Sequence, residues 1–171
     1  MNKQVFVING SGGVGKDTFI SLLDYRVTVV NFSSVDKVKE VAKVIGWNGD
    51  KTDKGRKLLH DLKALCASYN DMPFNSMKDK YKDFMNSNAH FLFLHIREPE
   101  EIKRAKNEFN AKAILVKRSS VKHITSNSSD NNVYNYDYDI VINNDGDIEE
   151  LRNKAIRFAT DFFNDELKSE Y

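Results

Sequence analysis

The stretch VFVINGSGGVGKDTF, residues 5–19, decides how the rest of the chain is interpreted. The apolar letters before the first glycine predict a short buried strand, and an apolar helical stripe after the last glycine predicts a helix. Gly10, Gly15 and Lys16 fit G-x-x-x-x-G-K, the loop pattern that holds the phosphates of a nucleoside triphosphate. Asp17 stands at the position where that pattern has Ser or Thr. The loop therefore predicts a phosphate site with a carboxylate beside it.

The concentration of glycines in this loop has a physical reason. Four of the chain's eight glycines fall between positions 10 and 15, which allows successive backbone N–H groups to point at phosphate oxygens. The helix that follows adds the positive end of its dipole, and Lys16 can reach the β- and γ-phosphates. The predicted residues of the ATP phosphate site are Gly10, Ser11, Gly12, Gly13, Val14, Gly15, Lys16, Asp17 and Thr18.

A dinucleotide fingerprint is the rival interpretation, because Gly10, Gly12 and Gly15 also satisfy G-x-G-x-x-G. That site needs an acidic residue at the end of the second strand for the ribose hydroxyls. The second predicted strand ends with Asn31 and Phe32, and Asp36 comes too late. The lysine directly after the last glycine favours the phosphate loop.

Short apolar strands alternate with helical patterns along the chain, which predicts an α/β fold with a parallel sheet covered on both faces. The polar segment 119–138 has no helical stripe and predicts a long loop. The predicted strands span 4–9, 27–32, 90–96, 113–117 and 139–143. The predicted helices span 16–25, 35–45, 58–69, 73–86, 99–109 and 147–162. The helix 58–69 has an apolar stripe that predicts a core position for Cys66; the stripe is Leu58, Leu62, Leu65, Cys66 and Tyr69. Asp147 with Glu150 predicts the start of the last helix. The apolar stripe of that helix is Ile148, Leu151, Ala155, Phe158, Ala159 and Phe162.

Composition limits the class of protein. A length of 171 residues suits one domain, and 40% apolar with 30% charged residues is typical of a soluble one. The net charge of +1 predicts neither a nucleic-acid nor a membrane partner and leaves the oligomeric state open. The single cysteine, Cys66, excludes an internal disulfide and favours a reducing compartment. With no apolar leader before the glycines, a cytoplasmic protein is expected.

His95 lies at the end of the third predicted strand, next to its last residue, where many phosphate-loop proteins have an Asp that helps to hold magnesium. A kinase that phosphorylates an alcohol needs a base to remove a proton, whereas a monophosphate already offers an anionic oxygen. Since no strand end supplies an obvious base, a phosphate acceptor is favoured over a hydroxyl acceptor. Asp36 remains an alternative base.

The sequence resembles the phage-type deoxynucleoside monophosphate kinases, whose phosphate loop carries G-K-D-T as SGGVGKDT does here. The C-terminal strand and helix of that family are similar to HIT at 123–125 followed by DIVINNDGDIEEL at 139–151. Looser matches follow the same order at VKE (38–40), RKLL (56–59) and IREPEE (96–101). The chain departs from the family at His95, where the family has an acidic residue.

The resemblance implies a P-loop kinase fold: one domain over residues 1–171, with a five-stranded parallel sheet, helices on both faces and a lid loop. It implies a helical acceptor-binding region at about 33–88 and a lid at about 118–138. ATP and Mg²⁺ are the implied cofactors, and a nucleoside monophosphate is the implied acceptor of the γ-phosphate. Two alternatives stay open: another small-molecule kinase, of the dephospho-coenzyme A or phosphomevalonate type, and a protein that binds nucleotide without turnover.

Site residues follow from strand ends and from the resemblance. Lys16, Arg97 and Arg118 are the predicted catalytic residues, with Arg97 clamping the acceptor phosphate and Arg118 serving the lid. Surface salt bridges are the alternative for both arginines. The predicted acceptor-binding residues are Asp36, Lys39, Arg56 and Arg97, and Asn144 is predicted beside the adenine. Helix capping and a solvated basic face are the alternatives for the residues of the helical region.

Two hypotheses explain Asp17. In the first, its carboxylate accepts hydrogen bonds from waters on magnesium, which keeps several waters in protein sites, while Thr18 contacts the α-phosphate. In the second, Asp17 only stabilises the helix N-terminus electrostatically.

Overall fold

The computed structural model describes residues 3–23, 27–121 and 133–163, and it contains a five-stranded parallel sheet with strand order β2-β3-β1-β4-β5. The strands are β1 (Gln4–Asn9), β2 (Val29–Ser33), β3 (Phe91–His95), β4 (Lys112–Lys117) and β5 (Ile140–Asn143). The helices are α1 (Lys16–Leu23), α2 (Asp36–Val44), α3 (Asp53–Asn70), α4 (Met72–Met85), α5 (Pro99–Phe109) and α6 (Ile148–Phe163). No helix in these ranges is both long and apolar enough to cross a membrane.

The central strand β1 lies between β3 and β4. Its pairing register shows which residues of the neighbouring strands lie beside its carboxyl end. Ile8 is paired with His95 of β3, and Asn9 is paired with Leu115 of β4. Because the strands are parallel, the loop after β1 and the residues after β3 emerge at the same carboxyl edge. Ligands of open α/β sheets bind at this edge.

Both faces of the sheet are covered, which explains why the strands are almost continuously apolar. On one face Phe6 belongs to a core cluster with Phe19 of α1 and Phe158 of α6, and its ring lies 5.1 Å from that of Phe158. The alternate residues Val5 and Val7 are equally buried, and α5 packs against β1 and β4. The predicted α/β architecture is confirmed.

The contacts divide the chain into two compact units. The first comprises Met1–Asn31 with Asn88–Tyr171, and the second comprises Phe32–Ser87. The second unit contains α2, α3 and α4 and spans nearly the residues predicted as the acceptor-binding region. Within it, the hydroxyl of Thr52 accepts a hydrogen bond from the Gly55 backbone N–H (3.1 Å) and caps α3.

The apolar stripe predicted for α3 is not a core face. Leu65 is 63% exposed and Tyr69 is 85% exposed, and the cysteine predicted for the core, Cys66, is only partly buried. These side chains line an open apolar cavity of about 520 Å³ within the second unit. Helical spacing identifies an apolar face, but it does not specify whether another element covers that face.

The last helix begins as predicted. The Asp147 carboxylate accepts a hydrogen bond from the Glu150 backbone N–H (2.9 Å), the contact expected of an N-cap residue. The predicted stripe of α6 is buried except at Ile148, which is 49% exposed. Most of the predicted lid, with the HIT match at 123–125, lies outside the described residues.

Candidate phosphate-binding site

At two glycines of the loop between β1 and α1, both the backbone conformation and a close neighbour exclude a side chain. Gly10 has φ +145° and Gly15 has φ +98°, conformations that residues with a side chain rarely adopt. A Cβ on Gly10 would collide with the Val116 carbonyl oxygen, and a Cβ on Gly15 would collide with the Asn144 amide nitrogen. The backbone therefore lies directly against its neighbours, which fixes the curve of the loop.

Lys16 folds back over the start of this loop. Its Nζ donates hydrogen bonds to the carbonyl oxygens of Gly10 (2.6 Å) and Ser11 (3.0 Å). Lys16 is also the first residue of α1, so the ammonium and the helix N-terminus lie together. This arrangement concentrates positive charge where an anion would be held.

Asn144 braces the loop from the end of β5. It is only 4% exposed, and its Nδ2 donates to the Val14 carbonyl oxygen (2.8 Å). Its backbone N–H donates to the Lys117 carbonyl oxygen (2.8 Å). The sequence predicted Asn144 beside the adenine; the contact that the structure shows is with the loop itself.

A cavity of about 280 Å³ opens beside the loop. It brings together three residues that the sequence predicted separately, Thr18, Arg118 and Asn144. Ile148 and Leu151 of α6 supply apolar wall. The residues that line it are Gly13, Gly15, Thr18, Arg118, Asn144, Gly146, Asp147, Ile148 and Leu151.

Asp17 lies next to the other residue at which the chain is unusual. The Asp17 side chain is 85% exposed, and its Oδ1 lies 3.7 Å from Nε2 of His95. The same Nε2 lies 2.7 Å from the Asn31 side-chain oxygen. An exposed carboxylate at the mouth of a phosphate loop fits magnesium that retains its waters. The described ranges contain no group of three or more His, Cys, Asp or Glu residues that could enclose a metal ion.

The two predicted arginines lie at the carboxyl edge of the sheet. Arg97 is exposed, and its carbonyl oxygen accepts a hydrogen bond from Nδ2 of Asn9 (3.3 Å). Arg118 directly follows β4, and its Nε donates to the Ser120 hydroxyl (3.2 Å). Arg118 makes no salt bridge within the part of the chain that the structure describes, so the ion-pair alternative gains no support there.

Asp36 and Lys39 interact within the second unit. The Asp36 carboxylate accepts hydrogen bonds from the Ser33 backbone N–H (2.8 Å) and from Lys39 Nζ (2.8 Å). The N-cap residue of α2 is Val35 and makes no side-chain capping bond, so the Asp36 carboxylate fastens the backbone ahead of the helix and does not cap it. Arg56 is exposed on α3.

Sequence reasoning missed Asn9, Tyr138 and Asp145. Asn9 and Tyr138 are joined by a hydrogen bond of 2.8 Å. Asp145 accepts a hydrogen bond from the Ser119 backbone N–H (2.6 Å), and that contact lowers the pKa of its carboxyl group. Asn9 could have been identified from the sequence, because it is a polar residue at the end of the apolar strand that leads into the glycine loop.

Comparison with solved structures agrees with this architecture, although no family model and no curated protein sequence matches the chain. TT1252 from Thermus thermophilus is similar at 17% identity and a TM-score of 0.50, over 94% of this chain and 98% of that one. The APS kinase of Mycobacterium tuberculosis is similar at 9% identity and a TM-score of 0.46, over 93% of this chain and 98% of that one. The shikimate kinase of Aquifex aeolicus is similar at 14% identity and a TM-score of 0.47, over 94% and 98%. Sequence identities this low give information on the fold alone. Of the three structures, only TT1252 reaches a TM-score of 0.50, so the support for the fold comes from that match.

Proposed function

We propose that the chain is an ATP-dependent phosphotransferase that moves the γ-phosphate of ATP to a nucleoside monophosphate, with magnesium as cofactor. One observation carries the proposal: the Lys16 ammonium lies over the Gly10 and Ser11 carbonyls at the N-terminus of α1. A loop of this shape at this edge of a parallel sheet is suited to a triphosphate.

The donor nucleotide is assigned to the first unit. The phosphates lie in the loop from Gly10 to Thr18, with Lys16 on the β- and γ-phosphates. The adenine lies in the 280 Å³ cavity against the apolar side chain of Ile148. Arg118 on the wall of this cavity stabilises charge on the transferring group.

The phosphate of the acceptor is assigned to Arg97 of the first unit; Asp36, Lys39 and Arg56 of the second unit stay the further acceptor-binding residues that the sequence predicts. An oxygen of the monophosphate attacks the γ-phosphorus while the bond to the β,γ-bridging oxygen breaks, and the products are ADP and a nucleoside diphosphate. No proton has to be removed from this nucleophile. The Asp36 carboxylate is already bonded to Ser33 and Lys39, which favours a phosphate acceptor over a hydroxyl acceptor that needs a base.

Magnesium, when bound, neutralises charge on the phosphate oxygens. Asp17 is assigned to hold it through water, because the carboxylate is exposed at the start of α1. Thr18 is assigned to the α-phosphate.

Binding of ATP without turnover is the second candidate. It is favoured by His95, an imidazole bonded to Asn31 where the resembled family has an acid. A coupled assay of ADP release with a panel of ribo- and deoxynucleoside monophosphates distinguishes the two candidates. Acceptor-dependent ADP release supports the kinase, whereas ATP binding with no release for any acceptor supports the second candidate.

A further inference from the structure

Asn9 is a buried amide at the carboxyl end of the central strand. Its residue is 1% exposed, and burying an amide is costly unless its groups form hydrogen bonds. Its Nδ2 donates to the Tyr138 hydroxyl (2.8 Å) and to the Arg97 carbonyl oxygen (3.3 Å). Its Oδ1 accepts from the Gly10 backbone N–H (2.8 Å). The amide is therefore held on both its nitrogen and its oxygen.

Tyr138 completes the network from the segment that precedes β5. Its hydroxyl accepts from Asn9 and donates to the Val133 carbonyl oxygen (2.6 Å). Burial raises the pKa of Tyr138 to about 12, so the hydroxyl keeps its proton, and the donation to Val133, throughout the physiological range. Val133 itself is fully buried.

These bonds join three parts of the candidate site. Gly10 is the first residue of the phosphate loop, Arg97 follows β3, and Val133 begins the described residues that lead into β5. The carbonyl of Arg97 is fixed by Asn9 although its side chain is exposed. Asn9 thus links the backbone of the loop to the backbone of the residue assigned to the acceptor phosphate.

We infer that Asn9 and Tyr138 form a positioning pair that sets Arg97 relative to the phosphate loop, and so sets the acceptor phosphate relative to the γ-phosphate of ATP. The inference rests on the proposed function, in which Arg97 clamps the acceptor. Displacement of a reacting group by about 1 Å costs on the order of a hundredfold in rate. The Tyr138 hydroxyl takes part without touching either substrate.

A purely structural role makes a different prediction. If the hydrogen bond only stabilises the fold, its loss would lower the melting temperature and change the kinetic parameters for ATP and for the monophosphate to the same extent. The positioning role predicts a selective loss. Of the two polar groups of the Asn9 amide, Tyr138 contacts only the nitrogen, which also holds Arg97, whereas the Asn9 oxygen continues to hold Gly10.

The test compares Tyr138→Phe with Tyr136→Phe. Tyr136 is a matched control, because its ring lies 5.2 Å from that of Tyr138 and its hydroxyl makes no hydrogen bond in the described ranges. We expect Tyr138→Phe to lower kcat/KM for the monophosphate at least tenfold while KM for ATP stays within twofold. Tyr136→Phe should match the wild type in both parameters.

Equal kinetics for the two tyrosine variants, or parallel losses for both substrates with a lower melting temperature, would overturn the inference. A wild type that phosphorylates no monophosphate would overturn the proposed function, and the inference with it. Should Tyr138→Phe fail to fold, Asn9→Asp supplies the comparison, because one carboxylate oxygen still accepts from the Gly10 backbone N–H, whereas the other replaces the nitrogen that donates to the Arg97 carbonyl. The Asn9 variant must then show the same selective loss in kcat/KM for the monophosphate. If KM for ATP and kcat/KM for the monophosphate change equally, or neither changes, the positioning role of Asn9 and Tyr138 is overturned.

Discussion

Oδ1 of Asp17 lies 3.7 Å from Nε2 of His95. Asp17 stands where the general phosphate-loop pattern has a hydroxyl residue, and His95, the last residue of β3, stands where the resembled family has an acidic one. The structure places them side by side at the mouth of the phosphate loop. A carboxylate is therefore present in this neighbourhood, but α1 supplies it instead of β3.

Asp17→Ala should raise the magnesium concentration needed for half-maximal rate, because magnesium-bound waters lose an anionic acceptor. Asp17→Ser should keep part of the activity with an altered magnesium dependence, since its hydroxyl can bind the metal directly. The measurement is a magnesium titration of the initial rate at saturating ATP.

Thr18→Val serves as the neighbouring control for this titration. It removes only a hydroxyl from a near-isosteric side chain, so it should weaken ATP binding with little change in the magnesium response. An Asp17→Ala curve that overlies the wild type would leave the carboxylate with a role at the helix terminus only.

Lys16→Ala should reduce kcat by roughly a hundredfold or more, the scale of losing one preorganised donor to developing charge. The fold should survive, because Lys16 lies at the junction of the loop and α1, and its Nζ bonds the loop carbonyls of Gly10 and Ser11. Lys37→Ala is the control, since Lys37 pairs with Glu40 on the exposed surface of α2. Near-normal turnover of Lys16→Ala, with its circular-dichroism melt unchanged, would contradict the assignment of the loop.

Arg97→Lys should raise KM for the monophosphate by about tenfold, because a lysine keeps the charge but loses the two-pronged hydrogen bond. KM for ATP should barely change. Arg152→Lys is the control, since Arg152 pairs with Glu149 within α6. Equal weakening of both substrates would place Arg97 on the donor side or make it structural.

Asn144→Ala should lower the free energy of unfolding by about 1–3 kcal/mol, because it leaves the Val14 carbonyl without its buried partner. ATP affinity should fall with it, since the loop loses its brace. Urea denaturation and ATP titration measure the two effects, with the exposed Asn107→Ala as control. Unchanged stability would show that water replaces the amide at no cost.

The sheet was predictable because every strand is a short apolar run next to a helical pattern, and β1 with its glycine loop fixed the edge at which ligands bind. The exposure of Leu65 and Tyr69 was not predictable, because a stripe on α3 does not reveal what packs against it. The Asn9–Tyr138 bond was equally hidden, since it joins residues 129 positions apart. No local pattern specifies such a partner.

Asp145 should contribute to stability only above acidic pH. The Ser119 backbone N–H, its largest influence, lowers the pKa of this carboxyl below 3.8. The stabilising contribution of the ionised carboxylate is therefore present above pH 3.8, and it is lost as the pH falls through the lower pKa that Asp145 has in the folded state. The difference in melting temperature between wild type and Asp145→Asn should therefore shrink between pH 7 and about pH 3. A difference between wild type and Asp145→Asn that stays constant over this pH range would contradict the linkage.

The transfer of label from [γ-³²P]ATP to a panel of deoxynucleoside and ribonucleoside monophosphates tests the central claim most directly. The products are separated by chromatography, and Lys16→Ala is run beside the wild type. The account predicts a labelled nucleoside diphosphate with at least one acceptor, dependent on magnesium and lost in Lys16→Ala. Label that stays in ATP, or appears only as inorganic phosphate with every monophosphate, would contradict it.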